Sequence, residues 1–188
     1  MSTELVEAAL ILLRQAGVML DAGLSRAERE AVEVRFGFTF APEHAQLLAA
    51  CLPIGVAWPD WRHGTEESLR GWLDAPVEGV LFDVSTNGFW PASWGRRPED
   101  PQEAIRRARS RLLLWPRMVP VRGHRYLPAG PQGRAVFSIH QSDVVYYGSD
   151  LLDYLQHELG SSDVRPVVDP QPLWPWSDLA RGADDVDL

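Results

Sequence analysis

Ser138, His140 and Asp143 lie within six positions of one another, a combination that invites a reading as an acyl-transfer triad. Alternation along a strand puts Ser138 and His140 on one face. A triad also needs the histidine oriented by a group behind it and donors waiting for the oxyanion. Neither a nucleophile elbow nor a glycine-rich oxyanion loop accompanies these residues, so no catalytic residue is assigned and the chain reads as non-enzymatic. Metal chemistry fares no better. His124, His140 and His157 are dispersed, and Asp60 with His63 is a pair with no third ligand nearby. Cys51 is the single cysteine and sits on the apolar side of an expected helix, where a thiol behaves as a small hydrophobe. No metal and no cofactor is expected.

Lysine is absent, and all 18 basic residues are arginine. That excludes Schiff-base and phosphate-loop lysines, and with them lysine-dependent aldolases, pyridoxal enzymes and P-loop NTPases. Arginines 106, 107, 109 and 111 share one expected helix and could clamp phosphate or an acidic surface, although a solvated charged face is the commoner outcome.

The richest stretch for recognition is residues 79–94, GVLFDVSTNGFWPASW. An apolar run ends at Asp83, turns through Asn87-Gly88 and presents Phe89, Trp90 and Trp94. Asn-Gly tolerates positive φ and marks a tight turn, and large flat side chains supply much of the affinity at protein contacts. A second loop, 53–64, adds Trp58, Asp60, Trp61 and Arg62. Loops held by a rigid sheet concentrate recognition residues. The expectation is that both loops lie together at one edge of a binding surface, with Asp60 and Asp83 supplying negative charge. It requires at least two of the tryptophans to be exposed; the competing reading makes them inward anchors.

The elements that must position these residues follow from periodicity and caps. Helices are expected over 3–20, 25–35 (Ser25 and Glu28 forming a capping box), 42–51 with Pro42 at its first position, 65–73 capped by Thr65, 101–114 capped by Asp100 with Glu103 completing a second box, and 150–159. Strands are expected at 78–84, 117–122, 134–140 and 143–147, the last two joined by Gln141-Ser142. Together they describe an α+β fold, an antiparallel β-sheet with helices packed mainly on one face. At 188 residues the chain suits one core. Its parts are an N-terminal helical extension (1–23), a central domain (24–159) and a proline- and acid-rich tail (160–188). In that tail Trp174 and Trp176 should dock while 182–188 stay mobile.

Charge is uneven. Residues 1–95 carry 6 arginines against 13 acids, 96–134 carry 10 against 3, and 135–188 carry 2 against 10, for a net charge of −8. Overall acidity argues against nucleic acid and for a basic protein partner. The apolar N-terminus carries Glu4, Glu7 and Arg14 and lacks a basic leader, so neither a signal peptide nor a membrane span is expected and a cytoplasmic location is the default.

These motifs resemble a known group. EVRFGFTFAP at 33–42, HAQLLAACLPIG at 44–55, PDWR at 59–62, GVLFDVSTNGFW at 79–90, WGRRP at 94–98, VPVRGHRYLP at 119–128, VFSIHQSDVVYYGSDLLDYL at 136–155 and LWPWSDL at 173–179 are similar to the SUKH superfamily. This group includes Syd-like bacterial immunity-type proteins and the fungal regulators of cell-wall synthesis. The resemblance covers roughly 24–180, and the version most resembled is an arginine-rich, actinobacterial-looking single domain. It implies a compact α+β fold, no enzymatic activity, and binding of a protein partner. For bacterial members that partner is a nuclease- or deaminase-type toxin domain; for fungal ones the role is a regulatory scaffold. Positions such as Gly37, Trp61, Asp83, Trp94, Arg125 and Asp143 suit a structural role as well as a binding one. The 79–90 motif is central to the resemblance and 78–84 is expected as a strand; a helix over 78–84 would make the family assignment wrong as well.

Overall fold

The computed structural model describes residues 3–160 and 173–182. Helix α1 (Thr3–Gln15) stops short of residue 20. Gly17, at φ 71°, closes it, and the amides of Gly17 and Val18 reach back to the carbonyls of Arg14 and Leu13. This left-handed stop costs glycine nothing. Met19–Ala22 then forms strand β1, antiparallel to β2 (Cys51–Ile54). Neither strand was expected. Each has four residues and β2 contains Pro53, which suits only an edge; in a two-stranded ribbon both strands are edges. Between them lie α2 (Arg26–Phe36), with the reciprocal Ser25–Glu28 cap as expected, and α3 (Pro42–Ala50).

The largest departure is α4 (Glu66–Thr86), a helix of 21 residues where a short helix and then a strand over 78–84 were expected. Leu69, Leu73, Pro76, Val80 and Val84 are all buried, at spacings of three and four. That helical stripe runs straight through the supposed strand and leaves Phe82 half exposed on the far side. A short apolar run cannot be told from a buried helical segment by periodicity alone, and a proline such as Pro76 ordinarily breaks or kinks a helix. Pro76 has no amide proton for the carbonyl of Trp72, four residues back. The Tyr126 hydroxyl, on the neighbouring sheet, donates to that carbonyl at 3.3 Å. A tertiary hydrogen bond thus replaces the missing helical one. The helix counts against the SUKH resemblance by the criterion stated above.

After a short 3₁₀ turn (Ala92–Trp94) come α5 (Pro101–Leu112) and four strands in simple up-and-down order. These are β3 (Met118–Arg122), β4 (Arg125–Pro128), β5 (Val136–His140) and β6 (Asp143–Gly148), all antiparallel. Strand β4 is not among the expected strands. Helices α6 (Leu151–Leu159) and α7 (Trp176–Gly182) complete the described chain. Asp100 caps α5 through the amides of Gln102 and Glu103, but the Glu103 carboxylate turns to Arg106 and Arg107 instead of closing a box.

The fold is the expected α+β class built on an antiparallel sheet. Its helices, expected mainly on one face, cover both. Met118, Tyr126, Phe137, Ile139 and Val144 point toward α4, α5 and α7 and meet Val80, Val84, Ala104, Ala108 and Trp176. Val121, Leu127 and Val136 point the other way, onto α1, α3 and α6, where Ala9, Leu13, Leu47, Leu151 and Leu155 are buried. The described part of the N-terminal segment, from residue 3, is thus built into the core by Ala9 and Leu13 and into a ribbon by β1. A third cluster joins Phe36, Phe38, Phe40, Trp61, Leu69 and Val119. Among the described residues no helix is long and apolar enough to cross a membrane.

Candidate functional site

The two loops expected to meet stand at opposite ends of α4, whose 21 residues span about 30 Å. At its N-terminal end, Trp58 and Trp61 are 9% and 4% exposed. Trp61 sits edge-on to Phe40 with ring centroids 5.3 Å apart, and beside Phe38. Asp60 is exposed, but its carboxylate accepts from the amides of Arg62 and His63 and shapes the turn. Arg62 is a clip. Its Nε–H donates to Glu28 at 2.7 Å, and its terminal nitrogens reach Asp21 and the carbonyls of Ala22 and Gly23. The hydrogen bond from Arg62, with those from Ser25, brings the Glu28 carboxyl down to about 2. This loop ties β1 and α2 to the core and offers no open aromatic surface.

Asp83 also faces inward. It is buried on α4, and its Oδ2 accepts from the Ser142 amide at 2.8 Å and the Ser142 hydroxyl at 2.6 Å. Its Oδ1 accepts from the Asn87 side-chain amide at 2.5 Å. Burial works against its charge, but these hydrogen bonds, with a contribution from His140, outweigh it and hold the carboxyl below its ordinary value. The β5–β6 turn packs close by, so that a Cβ at Gly79 would lie 2.9 Å from the Cα of Gln141. Asp83 therefore anchors a hairpin to a helix, and its charge is not free for a partner. Asn87-Gly88 does make a turn, with Gly88 at φ 73°, but it ends α4 and not a strand.

Beyond that turn the aromatics behave differently. Phe89 and Trp90 stack edge-on against Trp94, Trp94 against Trp115, and Trp115 against Trp176, with centroids 4.9–6.3 Å apart. Trp94 and Trp176 are buried, at 7% and 1% exposure, and Trp176 donates its indole N–H to the Pro116 carbonyl at 2.8 Å. Phe89, Trp94 and Trp115 form part of the wall of an open groove of about 1000 Å³, lined mainly by apolar atoms. Trp90 does not line it, and its indole N–H is bound to the Gly95 carbonyl. Leu114 and Trp174, also on the groove, are 85% and 60% exposed. Of the tail island, then, Trp176 docks as expected while Trp174 stays out. Residues 161–172 and 183–188 of the tail lie outside the described residues.

Sequence reasoning reached Phe89 and Trp94 but missed Leu114, Trp115 and Trp174 as a surface. One signal was present: Leu113-Leu114-Trp115 follows directly on Leu112, the last residue of the apolar stripe of α5.

The alternatives have structural explanations. The Ser138 hydroxyl accepts from Arg125 at 2.6 Å, and among the described residues no hydrogen bond joins it to His140. Arg125 lies over the Tyr147 ring and pairs with Glu158, as does Arg122. Of the α5 arginines, Arg106 and Arg107 pair with Glu103, Arg109 with Glu78 of α4, and Arg111 donates to the Trp94 carbonyl at 3.0 Å. That helix presents no open anion clamp. Burial pushes the Cys51 thiol up to about 11, an unreactive state. A second groove of about 510 Å³ runs along α4 at Gly71, Ala75 and Gly79, beside His124 and His140. Among the described residues no three His, Cys, Asp or Glu side chains are grouped to hold a metal.

No family model, no curated protein and no solved structure matches this chain.

Proposed function

We propose that this chain is a non-catalytic protein-binding domain whose contact surface is the groove between α5, α7 and the 89–94 segment. The observation that carries this reading is the exposure of large apolar side chains, Leu114 and Trp174, on the rim of an aromatic-walled groove of about 1000 Å³. Exposed apolar surface of this kind, rimmed by polar groups, marks interaction sites. Ser138, the α5 arginines and Cys51 are meanwhile engaged in structural contacts or unreactive.

The narrower version takes the partner to be a basic toxin domain, as the SUKH resemblance implies and as a net charge of −8 suits. The helical 78–84 segment weighs against that version, and a scaffold for an endogenous partner is its rival. The test is co-expression of the full chain with a toxin-domain protein encoded beside it, scored by growth. Rescue that disappears in Leu114→Asp, with its melting temperature unchanged, supports both the groove and the toxin. Rescue insensitive to Leu114→Asp and Trp174→Asp overturns the groove. Growth arrest unaffected by the wild-type chain moves the reading to an endogenous partner.

A further inference from the structure

The groove is apolar but not featureless: among its lining residues are two carboxylates, Asp143 and Asp178, and one cation, Arg111. Arg111 is already tied to the Trp94 carbonyl. Asp143 and Asp178 are exposed, and among the described residues neither makes an ion pair or a side-chain hydrogen bond. Both stand on elements fixed from behind. Asp143 follows Ser142, which is bound through its amide and its hydroxyl to buried Asp83. Asp178 lies in the first turn of α7, which is held by the Tyr146–Ser177 hydroxyl contact at 2.6 Å and by Trp176 under Pro116. The neighbouring walls include the indoles of Trp115 and Trp174, and indole rings attract a cation brought over them. Fixed carboxylates beside exposed indoles select a positive charge set in an apolar context.

Resting on the protein-binding reading above, we infer that the segment seated in this groove carries a lysine or arginine beside large apolar side chains. Its cation meets Asp143 and Asp178, and its apolar groups lie on Leu114, Trp115 and Trp174. The observation also gives Asp83 a purpose. It is the buried post that holds the turn presenting Asp143.

A displayed library of random linear peptides, selected on the purified full chain, tests this. Enriched peptides should carry Lys or Arg next to Leu, Phe or Trp. A synthetic enriched peptide, titrated by fluorescence anisotropy, should bind the Asp143→Asn/Asp178→Asn double variant at least tenfold more weakly than wild type. Exchanging the peptide's cation for methionine should abolish that difference between the two proteins. Enrichment of neutral or acidic peptides whose binding still falls with Trp174→Ala overturns the cation and leaves the groove standing. Enriched peptides insensitive to both Leu114→Asp and Trp174→Ala, or no enrichment at all, overturn the groove reading and this inference together.

Discussion

The two ends of α4 carry the same kind of sequence and opposite kinds of surface. Before the helix, Trp58 and Trp61 stand in a proline-rich loop; after it, Phe89, Trp90 and Trp94 do. The first loop is roofed by α2, by Phe38 and Phe40, and by the Arg62 clip, and its indoles are closed into the core. In the second, each ring packs edge-on against the next, but the row is covered on one side only, which leaves the groove. Aromatic density in a loop therefore reports large buried area in either case. Whether it is core or contact surface depends on which elements arrive from elsewhere in the chain.

Substitution at the two ends should separate them most strongly. Trp61→Ala, at 4% exposure, should cost about 3–5 kcal/mol of stability, the usual loss for a large aromatic removed from a core, read as a fall in the urea midpoint. A loss below about 1 kcal/mol would mean that the first loop is not core and would erase the contrast.

Next in size is an effect of pH confined to the first end. His44 packs edge-on to Phe40, is buried, and leaves Nδ1 without a partner. Burial pushes its pKa down to about 3 from 6.5. The unfolded chain therefore takes up a proton below pH 6.5 that the folded chain refuses, so stability must fall as pH drops from 6.5 toward 3. By pH 5 the loss from this group is on the order of 2 kcal/mol. Chemical denaturation at pH 7 and pH 5 should show a smaller difference in His44→Phe than in wild type. An equal difference would mean that His44 is protonated in the fold.

The connection between the ends is Tyr126. Tyr126→Phe removes the donor to the Trp72 carbonyl beside Pro76 and should cost about 1 kcal/mol with helical content unchanged by circular dichroism. No cost would mean that water satisfies that carbonyl equally well.

The smallest expected effect is at the open end. Leu114→Ser, at a side chain 85% exposed, should move stability by no more than about 0.5 kcal/mol. It should nevertheless weaken binding of any peptide that occupies the groove. A large destabilisation would show Leu114 to be core.

Local rules were legible wherever a few neighbouring residues decide the outcome. Ser25 with Glu28, Asp100 with Pro101 and Thr65 all start helices as expected, because a cap is satisfied within three residues. The β5–β6 hairpin through Gln141-Ser142 was legible for the same reason. So was the turn at Asn87-Gly88, although the element it ends was misread. The run GVLFDV was ambiguous, since its neighbours do not say whether the partner is a strand or a sheet face. The deciding contacts are distant: Tyr126 repairing the helix at Pro76, and Gln141 packed on Gly79. The four-residue strands β1, β2 and β4 were invisible because short strands acquire their hydrogen bonds only from a partner.

By itself, the amino-acid sequence determined the α+β class, the helix starts, the absence of lysine chemistry and the acidity of the whole. These depend on composition or on residues three or four apart. Tertiary structure alone decided the identity of 78–84, the inward turn of Asp83 and Trp61, and the opening of the groove between α5 and α7. In each case the free energy comes from a surface contributed by a part of the chain tens of residues away. Asp83 is satisfied by Ser142, 59 positions on, and Trp176 by Pro116, 60 positions back. No local pattern encodes such a pairing, because the cost of an unpaired buried group is settled only when the partner arrives.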